Sequence, residues 1–225
     1  MKTLCALLAG LLAANIATAA TPDFTGVWQV ADAVKELKTE QGKTPPLLPD
    51  AQKLYDQRRA QLKQGDDSFD TTNHCKPMGQ PRIMYDSKEF PFDIVQTPKK
   101  IFFGYQWNRQ PRYVYVDDDM ETLSPVYYGY STAHWEEDTL VVNVTGLDDA
   151  TLLDASGMPH SDNLQLTERY QLKHDGKQLQ VRYTFNDPDT FSQTWDAVVT
   201  YNKVPNGRIE EDICVDRLKL FSKSK

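Results

Sequence analysis

From Gln80 almost to the C-terminus, apolar side chains recur at every second position, and this period of two restricts the fold more than any other feature of the chain. Successive side chains of a strand point to opposite faces, so Leu164, Leu166, Glu168, Tyr170 and Leu172 share one face while Gln165, Thr167, Arg169 and Gln171 share the other. Leu179, Val181, Tyr183 and Phe185 repeat the pattern, as do Trp195, Ala197, Val199 and Tyr201. Similar runs at 24–30, 80–86, 90–97, 100–107, 112–117, 126–135, 139–145, 164–173, 178–185 and 191–204 predict about ten short strands. Turn residues such as His174-Asp175-Gly176-Lys177 separate them. Short strands that are apolar on one face fold as an antiparallel meander closed into a barrel or sandwich.

One helix is predicted, over about 50–64, where Asp50 can cap the N-terminus and Ala51, Leu54, Tyr55 and Leu62 fall on one face. No Gly/Ser-rich linker or repeat divides the chain, so residues 20–225 read as one mainly β domain with a helical N-terminal arm. Residues 1–19 read as a signal peptide: Lys2 precedes an apolar run over 4–16, and Ala17-Thr18-Ala19 supplies the small residues a signal peptidase accepts. No later run approaches the ~18 apolar residues of a membrane span. The expectation is a periplasmic or secreted protein without a membrane anchor.

The formal net charge is -7, which removes the basic footprint that nucleic-acid binding requires. Cleavage after Ala19 removes Cys5 and leaves Cys75 and Cys214, a pair that reads as a disulfide in an oxidising compartment. The competing reading is metal ligation through His74 and Cys75, but no second Cys or His stands at the spacing of a zinc site. Asp117-Asp118-Asp119 lacks the Gly and distal Glu of a calcium loop and reads as a solvated turn. Gly-rich phosphate loops are absent, so no cofactor and no metal is expected.

Phe24-Thr25-Gly26-Val27-Trp28 resembles the Gly-x-Trp first strand of lipocalins and other calycin barrels. The resemblance implies an antiparallel calycin-like barrel in which an Arg from a late strand closes over the Trp, with Arg182, Arg208 and Arg217 as candidates. A second resemblance, from Phe24 to about Pro188, is to a family of exported bacterial proteins of poorly characterised function. It is carried by Cys75-Lys76-Pro77-Met78-Gly79-Gln80-Pro81-Arg82, Asp93-Ile94-Val95-Gln96-Thr97-Pro98, Trp135-Glu136-Glu137-Asp138-Thr139-Leu140-Val141-Val142 and Gly157-Met158-Pro159-His160-Ser161 with Glu168-Arg169. The chain departs from that pattern at Glu137, where the family has Gly, and at Gly129-Tyr130-Ser131, which lacks a His. The family implies export and fold, and no activity.

Glu168 is the most informative candidate, because a carboxylate on an apolar face must be paired, hydrogen-bonded or protonated. Arg82 and Arg182 are its predicted partners if it is structural. His160, with Glu168 or Asp154 as orienter, is the candidate acid–base residue, and no Gly-x-Ser-x-Gly elbow accompanies Ser161. Arg82, Asp154, Ser161, Tyr170 and Trp195 complete the candidate ligand-binding set. The aromatic supply suits a concave apolar pocket, so the leading expectation is an exported protein that binds a small apolar or aromatic molecule inside the barrel. A cofactor-independent isomerase, cyclase or dehydratase using Glu168 and His160, and a periplasmic protein-interaction module, are the alternatives; the residues leave the oligomeric state open.

Overall fold

Among the described residues nine strands follow one another round a closed barrel in chain order. The computed structural model describes residues 21–120 and 124–222, so the signal peptide read over 1–19 lies outside it. The strands are β1 (Gly26–Val30), β2 (Phe92–Gln96), β3 (Lys100–Tyr105), β4 (Gln110–Val116), β5 (Tyr130–Glu136), β6 (Thr139–Thr145), β7 (Gln165–Lys173), β8 (Gln178–Asn186) and β9 (Trp195–Lys203). Neighbours pair antiparallel, and β1 closes on β9, except that β4 and β5 run parallel. The long β7–β8–β9 ladder holds the alternation in register: Glu168 stands opposite Tyr183, and Tyr183 opposite Ala197. The inward members Leu166, Glu168, Tyr170, Val181, Tyr183, Phe185 and Ala197 are all buried.

Residues 80–86 are not the strand that their pattern predicts. They form an irregular segment around a 3-10 turn, Arg82–Met84, and every residue from Arg82 to Asp86 is buried. A strand of a barrel wall has one wet face, whereas this segment is enclosed on all sides. Gln80 and Met84 bond to inward-facing side chains of β3, β7 and β8, so the segment runs inside the barrel as a plug. Gly79 begins it at φ 80°, with Thr151 so close that a Cβ would lie 2.6 Å from the threonine Cβ; glycine is required there on both counts.

The predicted arm helix is α1 (Pro49–Lys63). Its N-cap is Leu48, without a side-chain cap, and Pro49 rather than Asp50 opens the helix, as the fixed φ of proline favours. Tyr55 is its buried contact, bonded at 2.7 Å to Ser156 Oγ, while Leu54, expected on the same face, is exposed. A second helix, α2 (Cys214–Ser222), is one that the sequence reading did not predict. Tertiary contacts anchor it: Arg217 lies over the Phe90 and Trp107 rings, and Cys214 is bonded to Cys75.

At the barrel end Trp28 is fully buried, donates from Nε1 to the Phe24 carbonyl, and lies under the Lys203 ammonium, 5.3 Å from the ring centroid. The expected Arg is therefore replaced by a Lys from β9. Arg182 instead pairs with Glu40 and Asp196, Arg208 is exposed, and Arg217 covers Phe90. Gly26, at φ 133°, admits this lid, because a Cβ would lie 2.9 Å from Lys203 Cε.

The disulfide reading of Cys75 and Cys214 holds, and the metal reading falls with it, since the thiol is consumed and His74 is exposed. The bridge joins the approach to the plug with α2 across a sequence separation of 139 residues. Loop-closure entropy over such a span amounts to about 5 kcal/mol at most. Reduction of the folded protein should lower its unfolding free energy by about 2–5 kcal/mol. Guanidinium titration with and without reductant, and of the Cys75→Ser, Cys214→Ser variant, measures the loss.

Candidate functional site

The inward parity of β7 carries Glu168 to the centre of the barrel, where it is completely buried. Parity on β4 sends Arg112 inward beside Val114 and Val116, and its Nη2 and Nη1 donate to Glu168 Oε2 and Oε1 at 2.8 and 3.3 Å. Arg112 Nε donates to Ser131 Oγ on β5 at 3.0 Å. Tyr170 donates to Glu168 Oε2 at 2.7 Å, and Gln80 of the plug donates to Oε1 at 3.0 Å. Tyr105 donates in turn to Gln80 Oε1. The thioether of Met84 accepts from Gln80 and lies 3.6 Å from the Tyr170 and Tyr183 hydroxyls, and Tyr183 and Tyr201 share a hydrogen bond of 2.7 Å.

Burial on its own would lower the Arg112 pKa, but the Glu168 carboxylate overrides it and holds the guanidinium well above its ordinary value. Burial likewise pushes the Tyr105 and Tyr170 hydroxyls up, so they act as neutral donors. The partner of Glu168 is therefore Arg112, not Arg82 or Arg182. Arg82 is committed to Asp70 and Asp86 at 2.7 and 2.9 Å, beneath the plug, and Arg182 lies on the outside of β8. The signal for Arg112 was present in the shared parity of Arg112, Val114 and Val116. Tyr105 likewise shares the parity of Ile101 and Phe103 on β3, whereas Gln80 carried no such signal, since the plug is no strand of the wall.

The remaining candidates lie in other networks. His160 bonds through Nδ1 to the Ser161 carbonyl and through Nε2 to Thr151 Oγ1, at 2.9 and 2.7 Å. Burial lowers its pKa, so the neutral ring donates from Nδ1 and accepts at Nε2. In this way it props Thr151 against Gly79 at the start of the plug. Ser161 donates to Asp187, and Asp154 accepts from the Leu37, Ser156 and Met158 amides. Desolvation raises the Asp154 pKa against those bonds. Trp195 stacks on Phe185 at 4.1 Å. Glu168 and His160 thus have no hydrogen-bond partner in common, and Ser161, His160 and Asp154 form no nucleophilic relay. Among the described residues no cluster of His, Cys, Asp and Glu could hold a metal ion.

A concave site does open through the wall at the β4–β5 seam. Parallel strands require a crossover connection, and the ladder between β4 and β5 runs only from Val114↔Ser131 to Val116↔Ala133. Beyond it Pro111 to Tyr113 and Tyr128 to Tyr130 border a cavity of about 280 Å³. Tyr113, Tyr115, Tyr128, Tyr130 and Met120 line it, and buried Arg112 and Ser131 form its floor. The floor therefore belongs to the Glu168 network. Tyr128 stacks on Tyr105 at 6.0 Å, and its buried hydroxyl has no hydrogen-bond partner among the described residues. Such an orphan hydroxyl costs about 1–3 kcal/mol. The recess escaped the sequence reading because it needs the one parallel pair, which no local pattern announces.

The chain matches no family model and no curated protein. The meaning of the Cys75-to-Arg82 and Gly157-to-Ser161 blocks in this chain comes from their positions: the first is the plug and its tether, the second the loop that props it.

Glu168→Gln should destabilise the protein by about 3–5 kcal/mol by leaving Arg112 buried and unpaired. Adding Arg112→Met should recover part of that loss, and a urea-denaturation double-mutant cycle checks it. The lowered His160 pKa has its own signature. The unfolded chain takes up the proton first, so the stability due to neutral His160 is complete above the ordinary value of 6.5 and is lost as pH falls below it. Unfolding free energy should decline from pH 7.5 to 5, and less steeply in His160→Gln.

Proposed function

We propose that this is an exported, calycin-like protein that binds a small apolar or aromatic molecule at the β4–β5 seam. The observation that carries this reading is the seam recess itself: four tyrosines and a methionine around a concavity whose floor holds Arg112, neutralised from behind by Glu168. Apolar walls with a few fixed polar groups are the usual make-up of a small-molecule site. The volume, about 280 Å³, suits a compact ligand. The expected ligand position shifts outward from the lumen, because the plug occupies the lumen with Gln80 and Met84.

Export is supported by the Lys2, 4–16 and Ala17-Thr18-Ala19 pattern and by the disulfide; no helix among the described residues is long and apolar enough to cross a membrane. Calycin kinship is supported by the closed barrel and by buried Trp28 behind Gly26 under a basic residue of β9.

Tyr113 is exposed and Tyr115 half-buried on the outside of β4, so their replacement by Ala should change the melting temperature by only a few degrees. Native mass spectrometry of protein purified without denaturation should find a bound small molecule that the Tyr113→Ala, Tyr115→Ala variant loses. Equal retention by the variant would place the ligand elsewhere and overturn the seam as the site.

A further inference from the structure

We propose that the seam recess is an aromatic cage for a small organic cation of the quaternary ammonium class; the inference rests on the recess being the binding site and names what it takes. Four of the residues that line it are tyrosines, Tyr113, Tyr115, Tyr128 and Tyr130. The face of an aromatic ring carries negative potential, and several rings around one point attract a cation that gives up little hydration. A quaternary ammonium group is such a cation: it has no N–H to satisfy, and its methyl groups fill an apolar recess.

The molecule already uses two of these rings in this way. The Lys100 ammonium lies 5.4 Å from the Tyr113 centroid and 5.2 Å from the Tyr115 centroid. Lys100 belongs to β3, the neighbour of β4 on the side away from β5, and does not line the recess. The recess therefore meets the same two tyrosines from the β5 side, where Tyr128, Tyr130 and Met120 complete the enclosure.

Charge in the surroundings agrees. Arg112 in the floor is neutralised by Glu168 at 2.8 Å, so it neither repels a cation nor offers an unpaired charge to an anion. Asp117, Asp118 and Asp119, all exposed, lead directly into Met120. The whole chain is acidic, with a formal net charge of -7. An anionic ligand would find the Arg112 charge already paired, while a neutral aliphatic ligand would gain from the ring faces contact area alone.

Choline and its neutral isostere 3,3-dimethylbutan-1-ol have nearly the same shape and differ in charge, so their comparison isolates the cage. Calorimetry should give choline about tenfold tighter binding than the isostere, with the Met120 methyl resonance shifted to mark the site. Tyr115→Leu should weaken choline more than the isostere, so that the preference between them is lost. Tyr115→Phe and Tyr128→Phe should keep it, since a phenyl face still attracts a cation. Lys100→Gln should tighten choline binding about twofold by removing a like charge across the rings.

Equal affinity for choline and the isostere, or equal weakening of both by Tyr115→Leu, would overturn the cage and leave the seam a site for neutral molecules. Failure of choline to shift Met120 while a co-purified compound does so would overturn it too. A recess that no compound enters would overturn the cage and the seam site together.

Discussion

Glu168 sits where a barrel would ordinarily carry a leucine, and the consequences of that one carboxylate extend through most of the structure. A charge with no access to water is tolerated only with an opposite charge and enough hydrogen bonds to replace its hydration. Arg112 supplies the charge from β4, Tyr170 one bond from the same strand, and Gln80 another from the plug. Arg112 in turn reaches Ser131 on β5. Four segments distant in sequence are thus held to one geometry by a group that packing alone would reject. Such a centre contributes little net stability, because desolvation offsets most of the attraction, but it tolerates few alternative arrangements of its partners.

The plug follows from the same constraint. Several inward side chains, Tyr105, Tyr170, Tyr183 and Tyr201, are buried tyrosines whose hydroxyls need hydrogen-bond partners. Residues 78–86 bring both volume and partners: Met78, Ile83 and Met84 add apolar bulk, and Gln80 adds an amide that donates and accepts. Their support from outside comes through Asp70 on Arg82, Thr151 against Gly79, and the bridge from Cys75 to α2, while Arg82 and Asp86 pair within the segment. In a barrel filled in this way the recess lies in the wall, and the parallel β4–β5 pair is where the wall departs from close pairing. Burial of Arg112 and exposure of Tyr113 are two sides of one strand, so the central network and the seam recess share their position by simple alternation.

Much of this was legible in the residues. The period of two located the strands from Phe92 onward to within a few positions, and assigned inward and outward faces correctly in β7, β8 and β9, because every side chain there meets either core or water. The isolated cysteine pair fixed a covalent link without reference to any fold. Glu168 was recognisable as anomalous from its neighbours alone, since parity is a local property.

The plug, the partner of Glu168 and the recess were settled by tertiary structure. Residues 80–86 alternate like a strand, yet they are enclosed on all sides, and burial on every face erases the two-faced signal on which the reading depends. Three arginines could be imagined opposite a buried carboxylate, but only barrel closure brings β4 and β7 across the same lumen and makes Arg112 the partner. His160, adjacent in motif to Ser161 and near Asp154 in sequence, is turned by its loop toward Thr151 and bonds to neither Asp154 nor Glu168. The sequence by itself determined which side chains face inward, because that is decided within a strand. What they meet there was decided by closure, crossover and plug, which depend on contacts between residues far apart along the chain.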